Sequence, residues 1–227
     1  MPKQKRNSKS QTARSDKTIQ YSALAVIVIV IGAVVWNFAP KTQSPQASAC
    51  SAFDSIASAS KYEAPPPMLI DTSKKYFATI KMEKGGEIVF ELYPDKAPVT
   101  VNSFVFLACK GFYDGITFHR VLEGFMAQTG DPTGTGAGGP GYSFKNEDSD
   151  LTFNKEGVVA MANSGRDTNG SQFFITFGPQ DHLNGGYTIF GQVVSGMDVA
   201  KSITRRNPDE NPPFQGDKIA TIIVSQE

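Results

Sequence analysis

Regular alternation of apolar and polar positions begins at Tyr76. Tyr76, Ala78, Ile80 and Met82 alternate with Phe77, Thr79 and Lys81, and after a Glu-Lys-Gly-Gly-Glu turn at 83–87 a second such run extends over 88–93. Two runs of period two around a Gly turn predict a β-hairpin. Pro98 then opens a segment of helical period. Val101, Phe104, Val105 and Ala108 fall at i, i+3, i+4 and i+7, and Gly111 stands where the helix must end. Cys109 sits at the edge of that stripe and reads as core. Further strands are predicted over 116–121, 125–129, 158–163, 172–177, 188–194 and 218–224, eight with the hairpin, and 196–203 reads as a second short helix. Many short strands, Gly-rich turns and two helices predict a mainly β closed barrel or sandwich, and periodicity does not choose between them.

The first third of the chain carries no such pattern. Residues 1–20 are basic and polar, rich in Ser, Gln and Lys, without the apolar period that builds a core. Residues 21–38 (YSALAVIVIVIGAVVWNF) contain no charge. As a helix at ~1.5 Å per residue this run extends about 27 Å, enough to span a bilayer, and Tyr21 and Trp36 occupy its ends as interfacial residues do. It is therefore expected to be a transmembrane signal anchor in contact with lipid. The rival is a cleaved signal peptide, with Ala47-Ser48-Ala49 as cleavage site and Cys50 as a lipid-bearing cysteine. Against it, the apolar run is longer than a signal peptide's and the site stands well beyond its end. Lys and Arg exceed acids before the run, while only Lys41 follows closely, which puts the N-terminus in the cytoplasm and the main body outside, in a cell-membrane, single-pass protein. Residues 39–75 read as an Ala/Ser/Pro-rich linker, stiffened by Pro65-Pro66-Pro67, with a short helix over 51–60 left open.

Composition changes this picture little. With 40% hydrophobic and 19% charged residues, the 227-residue chain is ordinary for a globular protein, with 76–227 as its folded domain. The net charge of zero hides a basic tail: residues 1–20 carry +5, leaving −5 for the rest, which argues against a nucleic-acid surface. The two cysteines, Cys50 and Cys109, lie far apart in no metal-ligand spacing, and each reads as an unpaired small apolar residue. His119 and His182 are the only histidines, too few for a His-rich metal cluster. The Gly-rich stretch 130–141 lacks the Lys-Ser/Thr of a phosphate-binding loop, and the sequon at Asn169 reads as accidental.

The chemistry concentrates in 118–131, Phe-His-Arg-Val-Leu-Glu-Gly-Phe-Met-Ala-Gln-Thr-Gly-Asp, which sets one guanidinium and one amide among aromatic and thioether groups. Together with Met161-Ala162-Asn163 and Ser171-Gln172-Phe173-Phe174-Ile175-Thr176, it resembles the signature of the cyclophilins, the peptidyl-prolyl cis-trans isomerases. The resemblance runs from about Tyr76 to the C-terminus. It implies an eight-stranded antiparallel β-barrel closed by two helices, an outer active groove, proline-containing polypeptides as substrates, a monomeric catalytic domain and no cofactor. Residue by residue it makes Arg120 the catalytic donor, with Phe125 and Gln128 beside it, and assigns Met126, Phe174 and Leu183, with Phe125, to the apolar proline pocket. Gln128, Gln172 and the main chain of Ala162 and Asn163 would hydrogen-bond the substrate backbone. Strand alternation turns His119 away from Arg120, so it reads as structural.

Two groove positions depart from the family pattern. His182 stands where many cyclophilins have a Trp bordering the pocket and contacting cyclosporin, and Tyr187 where many have a His, as in a number of bacterial members. The loop 132–142 also lacks the charged residues often found there. The implied role is acceleration of X-Pro isomerisation in unfolded or newly translocated proteins. The alternatives are a non-catalytic module that binds proline segments and a general chaperone on the same fold.

Overall fold

The computed structural model describes residues 49–227. The basic stretch 1–20 and the apolar run 21–38 lie outside the described residues. Among the described residues no helix is long and apolar enough to cross a membrane.

The elements, in order, are β1 (Tyr76–Met82), β2 (Glu87–Leu92), α1 (Pro98–Cys109), β3 (Arg120–Leu122), β4 (Met126–Thr129), β5 (Val158–Met161), β6 (Phe173–Thr176), β7 (Ile189–Ser195), α2 (Met197–Lys201) and β8 (Ile219–Gln226). The strands form one sheet in the order β3-β4-β6-β5-β7-β2-β1-β8, every neighbouring pair antiparallel. The hairpin follows the sequence pattern closely: Tyr76, Ala78, Ile80 and Met82 of β1 and Ile88, Phe90 and Leu92 of β2 are buried. The expected closed barrel has a seam, because β3 and β8 do not pair with each other. The segment 115–118 bonds to the start of β8 through Gly115 N–H to Ile219 O (2.8 Å), Ile219 N–H to Ile116 O (2.9 Å) and Phe118 N–H to Asp217 O (2.8 Å). The outer edge of β3 is taken instead by Arg206, which exchanges two backbone hydrogen bonds with Val121. The expected strand 116–121 is thus two short pieces with different neighbours.

α1 corrects the expectation of a one-sided helix. Besides the predicted stripe, Asn102, Phe106 and Leu107 are also buried. The reason is a second layer that covers the helix, made by the segment read as a linker. Phe53 is fully buried with its ring 5.5 Å from Phe106, and the Tyr62 ring lies 4.8 Å from Phe106 on the same side. Asn102 accepts from the N–H groups of Leu69 (3.0 Å) and Ile70 and donates to Pro67 O (3.0 Å), holding the stretch after the prolines by its main chain. Residues 49–75 are therefore an arm laid on the domain and not a free tether, helical at 49–51 and without a helix over 52–60. The helix N-terminus is capped from a distance: Glu147 accepts from Val99 N–H (2.9 Å) and Thr100 N–H (2.8 Å), placing a carboxylate where unpaired N–H groups and the helix dipole favour one.

The cysteines also correct the reading. Cys50 and Cys109 form a disulfide, their Cα atoms 5.4 Å apart across a sequence separation of 59 residues. Both were expected to be unpaired, since neither sequence distance nor spacing reveals a pairing that depends on the arm folding back over α1. The bond also occupies the Cys50 sulfur that a lipid anchor at that residue would need.

Candidate active site

Register builds the site. Cα partners across antiparallel strands bring Arg120 opposite Gln128, Gln128 opposite Phe174, and Phe174 opposite Ala160, a row crossing β3, β4, β6 and β5. Directly opposed residues point to the same face of a sheet. The next row, Val121, Ala127, Ile175 and Val159, points to the other face and is sealed in the main core. One-residue alternation therefore separates the groups that hold the sheet from the groups it displays.

On the displayed face, a concavity of about 220 Å³ is lined by Arg120, Phe125, Met126, Gln128, Ala162, Asn163, Phe174, Leu183 and Tyr187. Nine of the eleven residues expected at the groove meet there. Its floor is apolar: Met126, Phe174 and Leu183 are buried and belong to a cluster separate from the main core. Phe174 is held by stacking on Phe153 (centroids 5.9 Å, 13° between planes) and by the edge of Tyr187 (5.5 Å, 89°). Arg120 stands at the rim, half-buried, its guanidinium carbon 5.6 Å from the centre of the Phe125 ring and Nη1 4.0 Å from Met126 Sδ. Among the described residues it makes no ion pair. His182 does not line the concavity. It is exposed and stacks behind Phe125, centroids 5.8 Å apart, so it supports the aromatic wall.

Gln172 departs from its expected role. Its Nε2 donates to Gly136 O and Gly138 O (2.9 Å each), and its Oε1 accepts from Gln128 Nε2 (2.9 Å), so its amide is engaged within the protein. It orients Gln128 and pins the Gly-rich loop. Ala162 N–H likewise already donates to Gln172 O (2.9 Å), leaving less of that main chain to a guest than expected. The loop itself is wrapped around Asp131, whose carboxylate accepts from Thr133 N–H (2.7 Å), Thr133 Oγ1 (2.8 Å) and Gly136 N–H (2.6 Å). Burial opposes the charge, but these donors outweigh it and hold the carboxyl below its ordinary range. A Cβ on Gly138 would overlap Asp131 Oδ1, so the close turn requires glycine. The loop amides are spent on the chain's own carboxylate.

A second, larger concavity of about 470 Å³ adjoins the first through Gln128, Ala162 and Asn163, with the Gly-rich loop, Gln172, Ser164 and Thr168 as further walls. His119 points away from both. It is buried, neither ring nitrogen has a hydrogen-bond partner, and burial pushes its pKa below the ordinary value of 6.5. Its carbonyl accepts from Arg206 Nη1, which braces the backbone next to Arg120. Among the described residues no group of three or more His, Cys, Asp or Glu side chains is placed to hold a metal ion.

Two residues of the site were not read from sequence. Phe153, which backs Phe174, lies in the irregular stretch between β4 and β5, where no period singles it out. Lys61, which lines the larger concavity, belongs to the arm, whose place on the domain follows from tertiary contacts alone.

Comparison with known proteins bears on this geometry. The family model described as cyclophilin type peptidyl-prolyl cis-trans isomerase/CLD matches residues 77–224. Peptidyl-prolyl cis-trans isomerase B of Bacillus subtilis is 54% identical over 124 residues, 54% of this chain and 87% of the relative. A peptidyl-prolyl cis-trans isomerase of Helicobacter pylori is 44% identical over 158 residues, 68% of this chain and 90% of that one. The crystal structure of a Cryptosporidium parvum cyclophilin superposes with a TM-score of 0.61 at 32% identity, covering 67% of this chain and 99% of that one. The same protein has been crystallised in the presence of the dipeptide Ala-Pro. With the signature residues gathered on one face of an eight-stranded antiparallel sheet and the match spanning most of that sheet, the chain belongs to the cyclophilin-type peptidyl-prolyl cis-trans isomerases, a family of enzymes.

Proposed function

We propose that the chain accelerates X-Pro isomerisation by seating the proline ring on Met126, Phe174 and Leu183 and donating from Arg120 to the twisted amide. The unaided reaction crosses a barrier of ~18–20 kcal/mol set by amide resonance. No bond breaks; rotation removes conjugation, and the prolyl nitrogen regains a lone pair that accepts a hydrogen bond. A group that binds that state better than either planar form lowers the barrier, and a 10⁵-fold acceleration corresponds to roughly 7 kcal/mol. The observation that carries the reading is Arg120: a planar fork of donors at the rim of the concavity, braced by Phe125 and, among the described residues, in no ion pair. A relative crystallised in the presence of Ala-Pro fits a proline-sized guest.

The setting is a cell membrane, with residues 21–38 as single-pass anchor in the bilayer, the N-terminus cytoplasmic and the catalytic domain outside. Two observations support it. The apolar run follows a basic tail, and Cys50 is joined to Cys109, a bond that persists in oxidising compartments and is rare in the cytosol. Clients there are unfolded or newly translocated polypeptides. No cofactor enters the mechanism.

The test is turnover of a short X-Pro peptide by the full-length chain. Acceleration is expected, and its loss in Arg120→Ala identifies the donor. Binding of the peptide without acceleration would replace the enzyme with a proline-segment binding module. Suppression of aggregation that survives Arg120→Ala, with no isomerisation, would make the chain a general chaperone on this fold.

A further inference from the structure

The larger concavity beside the proline pocket has one charged residue in its wall, Lys61; every other lining group is neutral. Lys61 comes from the arm at 49–75, upstream of the family match, which begins at residue 77. Its backbone is fixed there by independent contacts. Tyr62 N–H donates to Pro140 O (2.7 Å), and the Tyr62 ring packs on Phe106 of α1. Gly141 has a φ of +98°, and a Cβ there would overlap Tyr62 O and press on the Lys61 side chain, so the glycine admits the arm. Upstream, Phe53 is buried and Cys50 is bonded to Cys109, so this part of the chain is tied to α1 on both sides of residue 61. Among the described residues Lys61 makes no ion pair, and its side chain is exposed to the concavity.

We propose that Lys61 is a specificity-determining residue that favours substrates with a Glu or Asp within two residues of the reacting proline. The inference rests on the isomerase reading of the adjoining pocket. The two concavities share Gln128, Ala162 and Asn163, and an extended chain advances about 3.3 Å per residue, so a side chain near the proline reaches the second concavity. A carboxylate there meets the Lys61 ammonium across neutral walls. One partly exposed ion pair contributes about a two- to fivefold preference and is screened by salt. Arg120 is the other cation at hand, and variation at residue 61 separates the two.

The experiment measures kcat/KM of the full-length chain on short peptides with one X-Pro bond, carrying Glu, Gln or Lys at each of the two positions before and after it. The Glu-to-Gln ratio is taken within each protein, so any common change in turnover cancels. The wild-type ratio is expected to be about two to five at one position and to shrink towards one at high salt. In Lys61→Gln it falls to about one, and in Lys61→Glu it drops below one while the Lys-to-Gln ratio rises above one. Equal ratios in wild type and Lys61→Glu, or a ratio of one at every position, overturn the proposal while leaving the isomerase reading intact. Absence of turnover of every peptide by the wild type overturns both.

Discussion

On the inner face of the sheet, Val121, Ala127, Ile175 and Val159 form a row of small and branched side chains, none more than 1% exposed, in the same core as Phe104, Phe173 and Phe190, which pack ring to ring. One residue along the same strands, Arg120, Gln128 and Phe174 form the row of the opposite face, which opens to solvent as a concavity of about 220 Å³. Both faces use phenylalanine, but only the outer one sets a guanidinium and an amide beside it. They differ in cover: the inner row is sealed in the main core, whereas the outer row lines the concavity, with Phe174 backed by Phe153 and edged by Tyr187 and with Arg120 at the rim. A sheet whose inner face is rigidly sealed can hold donors and an apolar floor in fixed register on its outer face, which a site built on loops does less well.

The comparison can be broken first at the inner face. Phe173→Ala is expected to destabilise the fold by about 3–5 kcal/mol in equilibrium urea unfolding, the scale of an aromatic cavity in a packed core. Phe125→Ala on the outer face should retain most of the stability and act chiefly on KM for an X-Pro peptide. A destabilisation as large as that of Phe173→Ala would show that the site also holds the sheet.

The next effect concerns the layer over α1. Replacing Cys50 and Cys109 by Ser together is expected to lose about 2–4 kcal/mol, and reductant should lower the wild-type midpoint towards that of the double variant without moving the variant itself. An unchanged midpoint would mean that the arm holds by Phe53, Tyr62 and Asn102 alone.

The smallest effect is the pH dependence from His119. Its folded pKa lies below 6.5 because burial disfavours the cation, so the unfolded chain takes up the proton first. Stability is therefore full above about pH 6.5 and declines as pH falls towards the folded value, by at most about 1.4 kcal/mol per pH unit for one group. His119→Gln should flatten that slope in chemical denaturation between pH 7 and 5; an unaltered slope would assign it to other groups.

What could be read from sequence follows the same division. The sealed face was legible wherever one side of a strand is buried and the other wet, as in β1 and β2, since burial then writes a period of two. β5 and β6 are buried on both faces and carry no such period, and the strands expected there, 158–163 and 172–177, are longer than the four-residue strands that form. The groove residues were legible through the resemblance of their motif to the cyclophilin signature, and Arg120, Phe125, Met126 and Gln128 do meet at one concavity. The engagement of Gln172 within the protein was not, because an amide in a motif looks the same whether it faces a guest or a loop. The arm left one trace: Phe106 and Leu107 are apolar off the stripe of α1, as a helix covered on both sides requires, and Cys109 stands at the edge of that stripe. That trace, pursued, would have pointed to a partner layer and to a partner for Cys109.

Arg120 and Val121 are chain neighbours on opposite faces of β3, and substituting each in turn separates the work of the two faces. Turnover of an X-Pro peptide and urea unfolding are to be measured on Arg120→Ala and Val121→Ala of the full-length chain. Arg120→Ala is expected to lose roughly a hundred- to a thousandfold in kcat/KM with its unfolding midpoint unchanged, the scale for removing one donor to a transition state, and Val121→Ala to lose stability while each folded molecule turns over as the wild type does. Undiminished turnover by a folded Arg120→Ala would contradict that division of work.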